Sequence, residues 1–231
     1  MDLVWSGARQ ALGLLAGADR EIWAILWLSL QVSGIATVIS LALGVPAGAA
    51  LALARFPGRG LLVSAVNTGM GLPPVVVGLF VTLLLWRSGP LGELEILYTP
   101  AAIVIAQAVI ATPIVTAITL AAVGQVPREL RLQLLALGAS RAQMIWLVLR
   151  EARLPMLAAV MAGFGGIISE IGASLMVGGN IKGQTRTLTT AMVLETGKGN
   201  FEIAIALALL LLVLIFLVNW LLTAIQQRHS R

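Results

Sequence analysis

Few residues in this chain of 231 could do chemistry, and their surroundings narrow what that chemistry is. There is no cysteine, which excludes thiolate nucleophiles, zinc thiolates and disulfides. The single histidine, His229, lies in the C-terminal tail. Of the ten carboxylates, Glu170, in Ile168-Ser-Glu-Ile-Gly-Ala-Ser174, is the one set inside an apolar run. An ionisable group at such depth is by default a functional-site candidate. Three roles fit it: a proton-coupling site, a gate, or a structural acceptor for backbone N–H groups or an arginine. An ionised Glu170 would repel an anion rather than bind one.

Two further segments carry polar chemistry. Gly178-Gly-Asn-Ile-Lys-Gly-Gln-Thr-Arg-Thr-Leu-Thr-Thr190 gathers Lys182, Arg186, Asn180 and Thr185 among glycines. Such a segment could receive an oxyanion through hydrogen bonds, with charge as the attraction; an ordinary polar loop has the same composition. Leu72-Pro-Pro-Val-Val-Val-Gly78 interrupts an apolar stretch. Neither Pro73 nor Pro74 donates a backbone hydrogen bond, so carbonyls about a turn earlier are freed. Irregular backbone at membrane depth is tolerated where it is buried in protein or lines a water-filled path; a packing kink fits equally. Gly163, Gly165 and Gly166 permit close helix contact. The two lysines, Lys182 and Lys198, are followed by Gly, so no Gly-x4-Gly-Lys-[Ser/Thr] phosphate loop is present. No catalytic residue, metal site or cofactor is expected on this chain.

These residues must be positioned by a chain with little else that is polar. Hydrophobic residues make up 59%, charged residues only 11%, and mean hydropathy is +0.99, against about 25% charged in a soluble domain. The net charge of +5 rests on 15 dispersed basic residues, which argues against nucleic acid. The fold expected is an all-α integral membrane protein embedded in a lipid bilayer. A span needs about 20 apolar residues, and five candidates emerge, at about 23–54, 61–86, 99–123, 156–177 and 201–225. Residues 1–22 are too weakly apolar to span and predict an interfacial helix, with Trp5 and Leu12 set among Arg9 and Arg20. They have no basic n-region, unlike a signal peptide. The membrane-spanning body is then 23–226, with a tail at 227–231.

Orientation follows from Lys and Arg in the connections. One side holds Arg55, Arg59, Arg128, Arg131, Arg141, Arg150, Arg153, Arg228 and Arg231; the other holds six basic residues and seven acidic ones. This predicts five spans with the N-terminus outside and the C-terminus in the cytoplasm of a cell that carries the chain in its plasma (inner) membrane.

The connection 124–154 lies on the basic side and reads as two short helices. Pro127 suits a first helical position, Gly138 is a natural stop, and Ser140 with Gln143 forms a capping box that opens a second helix. That helix carries Ile145, Trp146 and Val148 beside Arg141 and Arg150. Such a pair suits either a docking surface for another protein or an amphipathic loop on the inner leaflet.

Gly138-Ala-Ser140, followed by an apolar helix and Leu154-Pro155, resembles the cytoplasmic EAA loop of ABC import permeases. Where that family usually has Glu-Ala-Ala, this chain has Leu132, Gln133 and Leu134, with Glu129 a turn earlier. Together with Leu72–Gly78, Ser169–Ser174 and Asn180–Arg186, the loop resembles the permease subunits of molybdate and tungstate importers. Gly178-Gly-Asn-Ile-Lys-Gly and Leu194-Glu-Thr-Gly-Lys look closer to the tungstate branch. The resemblance covers about residues 25–225.

The resemblance implies a homodimeric pathway for a tetrahedral oxyanion. It also implies two ATP-binding cassette subunits that hold ATP and Mg, and an external oxyanion-binding protein. The ATPase-docking residues would be Gly138, Ala139, Ser140, Gln143 and Trp146. The pathway and gate would draw on Pro73, Pro74, Ser169, Glu170, Ser174, Asn180, Thr185 and Arg186, with motion passed from the docking helix to spans two and four. A proton-coupled secondary transporter using Glu170, and a channel or structural membrane subunit, fit the bare composition as well.

Overall fold

The computed structural model describes residues 5–7, 9, 13 and 20–228. Most of the interfacial segment expected at 1–22, and the tail including His229, lie outside the described residues. All regular structure among the described residues is helical. Three helices are long and apolar enough to cross a membrane: α1 (Arg20–Leu53), α4 (Pro100–Gly124) and α10 (Phe201–Arg228). Two further spans are each broken. α2 (Arg59–Met70) meets α3 (Pro74–Leu85) at a bend of 100°, and α7 (Arg153–Ile168) meets α8 (Gly172–Gly178) at 59°. Five spans result if each bent pair counts as one. The interruption expected at Leu72–Gly78 is a full break rather than a packing kink, and the fourth expected span is broken as well. Pro73 and Pro74 in the first pair, and an unwound Ser169–Ile171 in the second, stop the backbone ladder outright.

The remaining elements are short. α5 (Arg128–Ala136) and α6 (Arg141–Glu151) form a hairpin between α4 and α7, and α9 (Leu188–Gly197) precedes α10.

α4 is the central post, with 56% of its most apolar window buried against 39% for α1 and 28% for α10. At 34 residues α1 is about 51 Å long, more than a hydrocarbon layer of about 30 Å requires. It carries its hydroxyl residues inward, and Ser29, Thr37 and Ser40 return their hydroxyls to carbonyls four residues back. That return bond keeps a hydroxyl satisfied inside an apolar helix. α1 and α4 approach closely at Gly44 and Gly48, where a Cβ would lie 2.8 Å from Val115 and 2.5 Å from the Thr116 carbonyl.

Three apolar cores follow. One joins α1, α3, α4 and α8 around Ala36, Val81, Ile103 and Val177. A second joins the start of α1 to α7, α9 and α10 around Ile25, Phe164, Leu188 and Leu207. The third seats α6 on the ends of α1 and α4 through Ala49, Val123 and Val148. The hairpin therefore packs on spans one and three, and Met156 of span four packs against the same core. Span two has no residue in that core.

Candidate functional site

The two breaks lie side by side because glycine allows it. A Cβ on Gly78 of α3 would sit 2.7 Å from the Ala173 backbone, and one on Gly172 of α8 would sit 2.6 Å from Val75. The half-helices that begin at Pro74 and Gly172 therefore run in contact, and Pro73, Pro74, Ser169, Glu170 and Ser174 share one neighbourhood.

Within it, Glu170 is buried and fully engaged. One carboxylate oxygen accepts the Ala173 N–H at 2.8 Å, and the other accepts the Ser174 N–H and hydroxyl, each at 3.2 Å. The side chain thus caps the start of α8, where the first N–H groups lack intrahelical partners. Its carbonyl accepts the Thr189 hydroxyl at 3.1 Å. Of the three roles that fitted the sequence, acceptor of backbone N–H groups is the one this geometry performs. Ser169 is exposed at the break and returns its hydroxyl to Gly165 at 2.8 Å. Gln107 of α4, also buried, donates to the Ile167 carbonyl at 3.1 Å beside the break.

The segment 178–190 folds back onto the same region. Thr185 is buried; its hydroxyl donates to the Gly178 carbonyl and accepts the Ile181 N–H, closing a loop. Thr187 and Thr190 form a reciprocal cap at the start of α9, and the Ser29 hydroxyl accepts the Leu188 N–H at 2.8 Å. Asn180 adopts a positive φ of 51°; its amide donates to the Thr190 carbonyl, and its oxygen accepts from Arg186, both at 3.3 Å.

Arg186 reaches Glu21 at 3.5 Å, and Lys182 reaches the other oxygen of Glu21 at 2.7 Å. This clasp joins the start of α1 to the loop. It borders a cavity of about 470 Å³ that Arg20, Trp27, Gln31 and Gln184 also line. Nearby, Asn200 and Lys198 donate to the Glu195 carboxylate, each at 2.7 Å, and hold its pKa below the ordinary value.

At the far end stands the α5–α6 hairpin. Gly138 has φ +86°, and a Cβ there would meet nothing within 4 Å, so the left-handed backbone alone calls for glycine. Its N–H bonds to the Leu135 carbonyl and the Ala139 N–H to that of Leu134, each at 3.0 Å, which ends α5 in a Schellman motif. The expected capping box follows: the Ser140 N–H bonds the Gln143 side chain at 2.8 Å, and the Gln143 N–H returns to the Ser140 hydroxyl at 3.3 Å. Arg131 fastens the hairpin to α4 by donating to the Val123 and Val126 carbonyls at 3.0 and 2.8 Å. Leu137 is 85% exposed and Trp146 59%, with the Arg150 guanidinium 5.4 Å from the indole centre. The hairpin is thus anchored inward and turns large apolar side chains outward.

The structure thus brings the two breaks and the 178–190 loop together and sets the Gly138 hairpin apart. Sequence reasoning missed the Glu21 clasp, because its members are 161 and 165 residues apart. It also missed the Thr187 cap, although Thr-x-x-Thr before an apolar run was a readable start signal. Among the described residues, no group of three His, Asp or Glu side chains could hold a metal ion.

Comparison with known proteins closes the question of family. Residues 44–231 match the family described as binding-protein-dependent transport system inner membrane component. A probable anion ABC transporter permease of Haloferax volcanii is 45% identical over 75% of this chain and 77% of its own length. A tungstate uptake system permease of Peptoclostridium acidaminophilum is 36% identical over 98% of this chain and 100% of its own. Among solved structures, an inward-facing MetNI methionine ABC transporter matches with a TM-score of 0.74 at 20% identity. That match covers 92% of this chain and 95% of the other, and it supports the fold alone. On sequence and architecture together, this chain belongs to the inner-membrane permease family of binding-protein-dependent ABC transport systems.

Proposed function

We propose that two copies of this chain form the translocation path of an importer for a tetrahedral oxyanion, tungstate foremost and molybdate next. In this reading the N-terminus is outside and the Gly138 hairpin faces the cytoplasm. Two ATP-binding subunits dock there, and an external binding protein delivers the anion to the Lys182–Arg186 end. The observation that carries the reading is end-to-end similarity to a tungstate uptake permease.

Features of the chain itself favour parts of this reading. The absent phosphate loop leaves ATP hydrolysis, with its Mg, to a partner. The outward apolar hairpin suits docking through Gly138, Ala139, Ser140, Gln143 and Trp146. Pro73, Pro74, Ser169, Glu170, Ser174, Asn180, Thr185 and Arg186 hold and border the path at the paired breaks and the loop above them. Glu170, already accepting three hydrogen bonds, favours a structural part over proton coupling.

The test is uptake of tungstate into vesicles containing this chain, its nucleotide-binding subunit and its binding protein. Uptake should require ATP and the assembled partners. Accumulation by the purified chain alone under a pH gradient would overturn the proposal in favour of a secondary transporter.

A further inference from the structure

We infer that the Ser64–Asn67–Thr68 face of α2 forms a wetted wall of the translocation path, with the Asn67 amide serving as an uncharged hydrogen-bond donor to the passing oxyanion. This inference rests on the oxyanion reading above and adds residues outside the two breaks.

Residues three and four apart share a helix face, so Ser64, Asn67 and Thr68 form one polar stripe. All three are exposed, and none of the twelve residues of α2 is buried. α2 leans on α4 through a different side, where a Cβ on Gly69 would sit 2.8 Å from Pro113. Thr68 satisfies itself by donating to the Ser64 carbonyl at 2.9 Å. The side chains of Ser64 and Asn67 make no hydrogen bond among the described residues.

The contrast with α1 is what carries weight. There Ser29, Thr37 and Ser40 are buried in the chain and bonded to its carbonyls. An amide facing hydrocarbon with no partner costs several kcal/mol. The Asn67 amide therefore finds its partners beyond this chain, and water in the path, with the ion it carries, would supply them.

The stripe ends at the break Gly71–Pro73, the neighbourhood of Ser169 and Glu170. Asn67 itself is about 12 Å along the helix from Arg59. Neutral donors suit a path, because a site must attract its ion and still release it; an arginine there would hold a dianion.

The cysteine-free chain makes the test clean. Asn67→Cys and, as a lipid-facing control, Phe216→Cys (66% exposed on α10) are placed singly in the assembled complex in vesicles. A negatively charged methanethiosulfonate should modify Asn67→Cys in at least one nucleotide state and spare Phe216→Cys. Saturating tungstate should slow that modification several-fold. Asn67→Asp should cut tungstate uptake at least ten-fold through like-charge repulsion, and Asn67→Gln should retain most of it.

No modification of Asn67→Cys in a complex that takes up tungstate would overturn the inference and leave the proposed function standing. Oxidative cross-linking of two copies at this position without reagent access would likewise overturn it, as a dimer contact. Modification without any tungstate uptake by the unmodified complex would overturn the oxyanion reading beneath it.

Discussion

The paired helix breaks and the Gly138 hairpin are both departures from plain membrane helices, yet they treat their polar groups in opposite ways. At the breaks, Glu170, Ser174 and Thr189 are buried: the Glu170 carboxylate caps its own turn, while its carbonyl accepts the Thr189 hydroxyl from nineteen residues away. At the hairpin the polar groups cap their own turn, and Leu137 and Trp146 face outward. Buried polar groups make a scaffold, because removing one strands another where water cannot replace it. Local caps beneath an exposed apolar face make a surface, which can lose its function and keep its fold.

The sharpest way to break this contrast is Glu170→Leu. The substitution strands the Ala173 and Ser174 N–H groups inside the protein, and its expected cost is about 2–4 kcal/mol. It should appear as a clear drop in melting temperature in detergent, with Glu170→Gln intermediate because the amide keeps one acceptor. A Glu170→Leu variant with unchanged melting and lost uptake would make Glu170 a gate rather than a scaffold.

Gly138→Val is the matching test at the other end. A branched residue at φ +86° costs roughly 1–2 kcal/mol of backbone strain, and open space around the Cβ means nothing else must move. The chain should therefore still fold, while ATP-driven uptake falls at least ten-fold and the nucleotide-binding subunit no longer co-purifies. Normal uptake would remove the hairpin from the docking role.

Ser140→Ala should act in the same direction more weakly. Losing one side of an exposed capping box costs about 0.5–1 kcal/mol, here expected as partial loss of co-purification with folding intact. Gln143→Ala should resemble it, because the two side chains cap one another.

What was legible in the sequence follows the same division. The Gly138 stop, the Ser140–Gln143 cap and the start at Pro127 were all readable, because each is set by residues within one turn. The long apolar helices were readable too, with ends displaced by a few residues. The 100° and 59° bends were not, since a proline pair or a Ser-Glu-Ile run announces an interruption but not its angle. The broken pairs pack on one another across a long separation in sequence, with Gly78 against Ala173 nearly a hundred residues away. Glu170 was legible as the one buried carboxylate, but its role depended on which N–H groups lay within reach. The clasp of Glu21 on Lys182 and Arg186 left no local trace at all.

Glu195 sharpens the comparison because it lies at the buried end yet is built like the exposed one. Its partners, Lys198 and Asn200, are three and five residues away, and the ammonium is half exposed. The Asn200 hydrogen bond, and then that from Lys198, hold its pKa below the ordinary 4.5. A depressed folded-state pKa means the knot stabilises above the unfolded value and is lost as pH falls below 4.5 through the lower one. Wild type and Glu195→Gln should therefore differ in melting temperature at neutral pH and converge in acid. Exposed ion pairs contribute little and are screened by salt. The gap should accordingly be the smallest of the four effects and shrink partway with salt, leaving the Asn200 part. A gap as large as that of Glu170→Leu would mean that position along the bundle, rather than burial, decides which polar groups are scaffold.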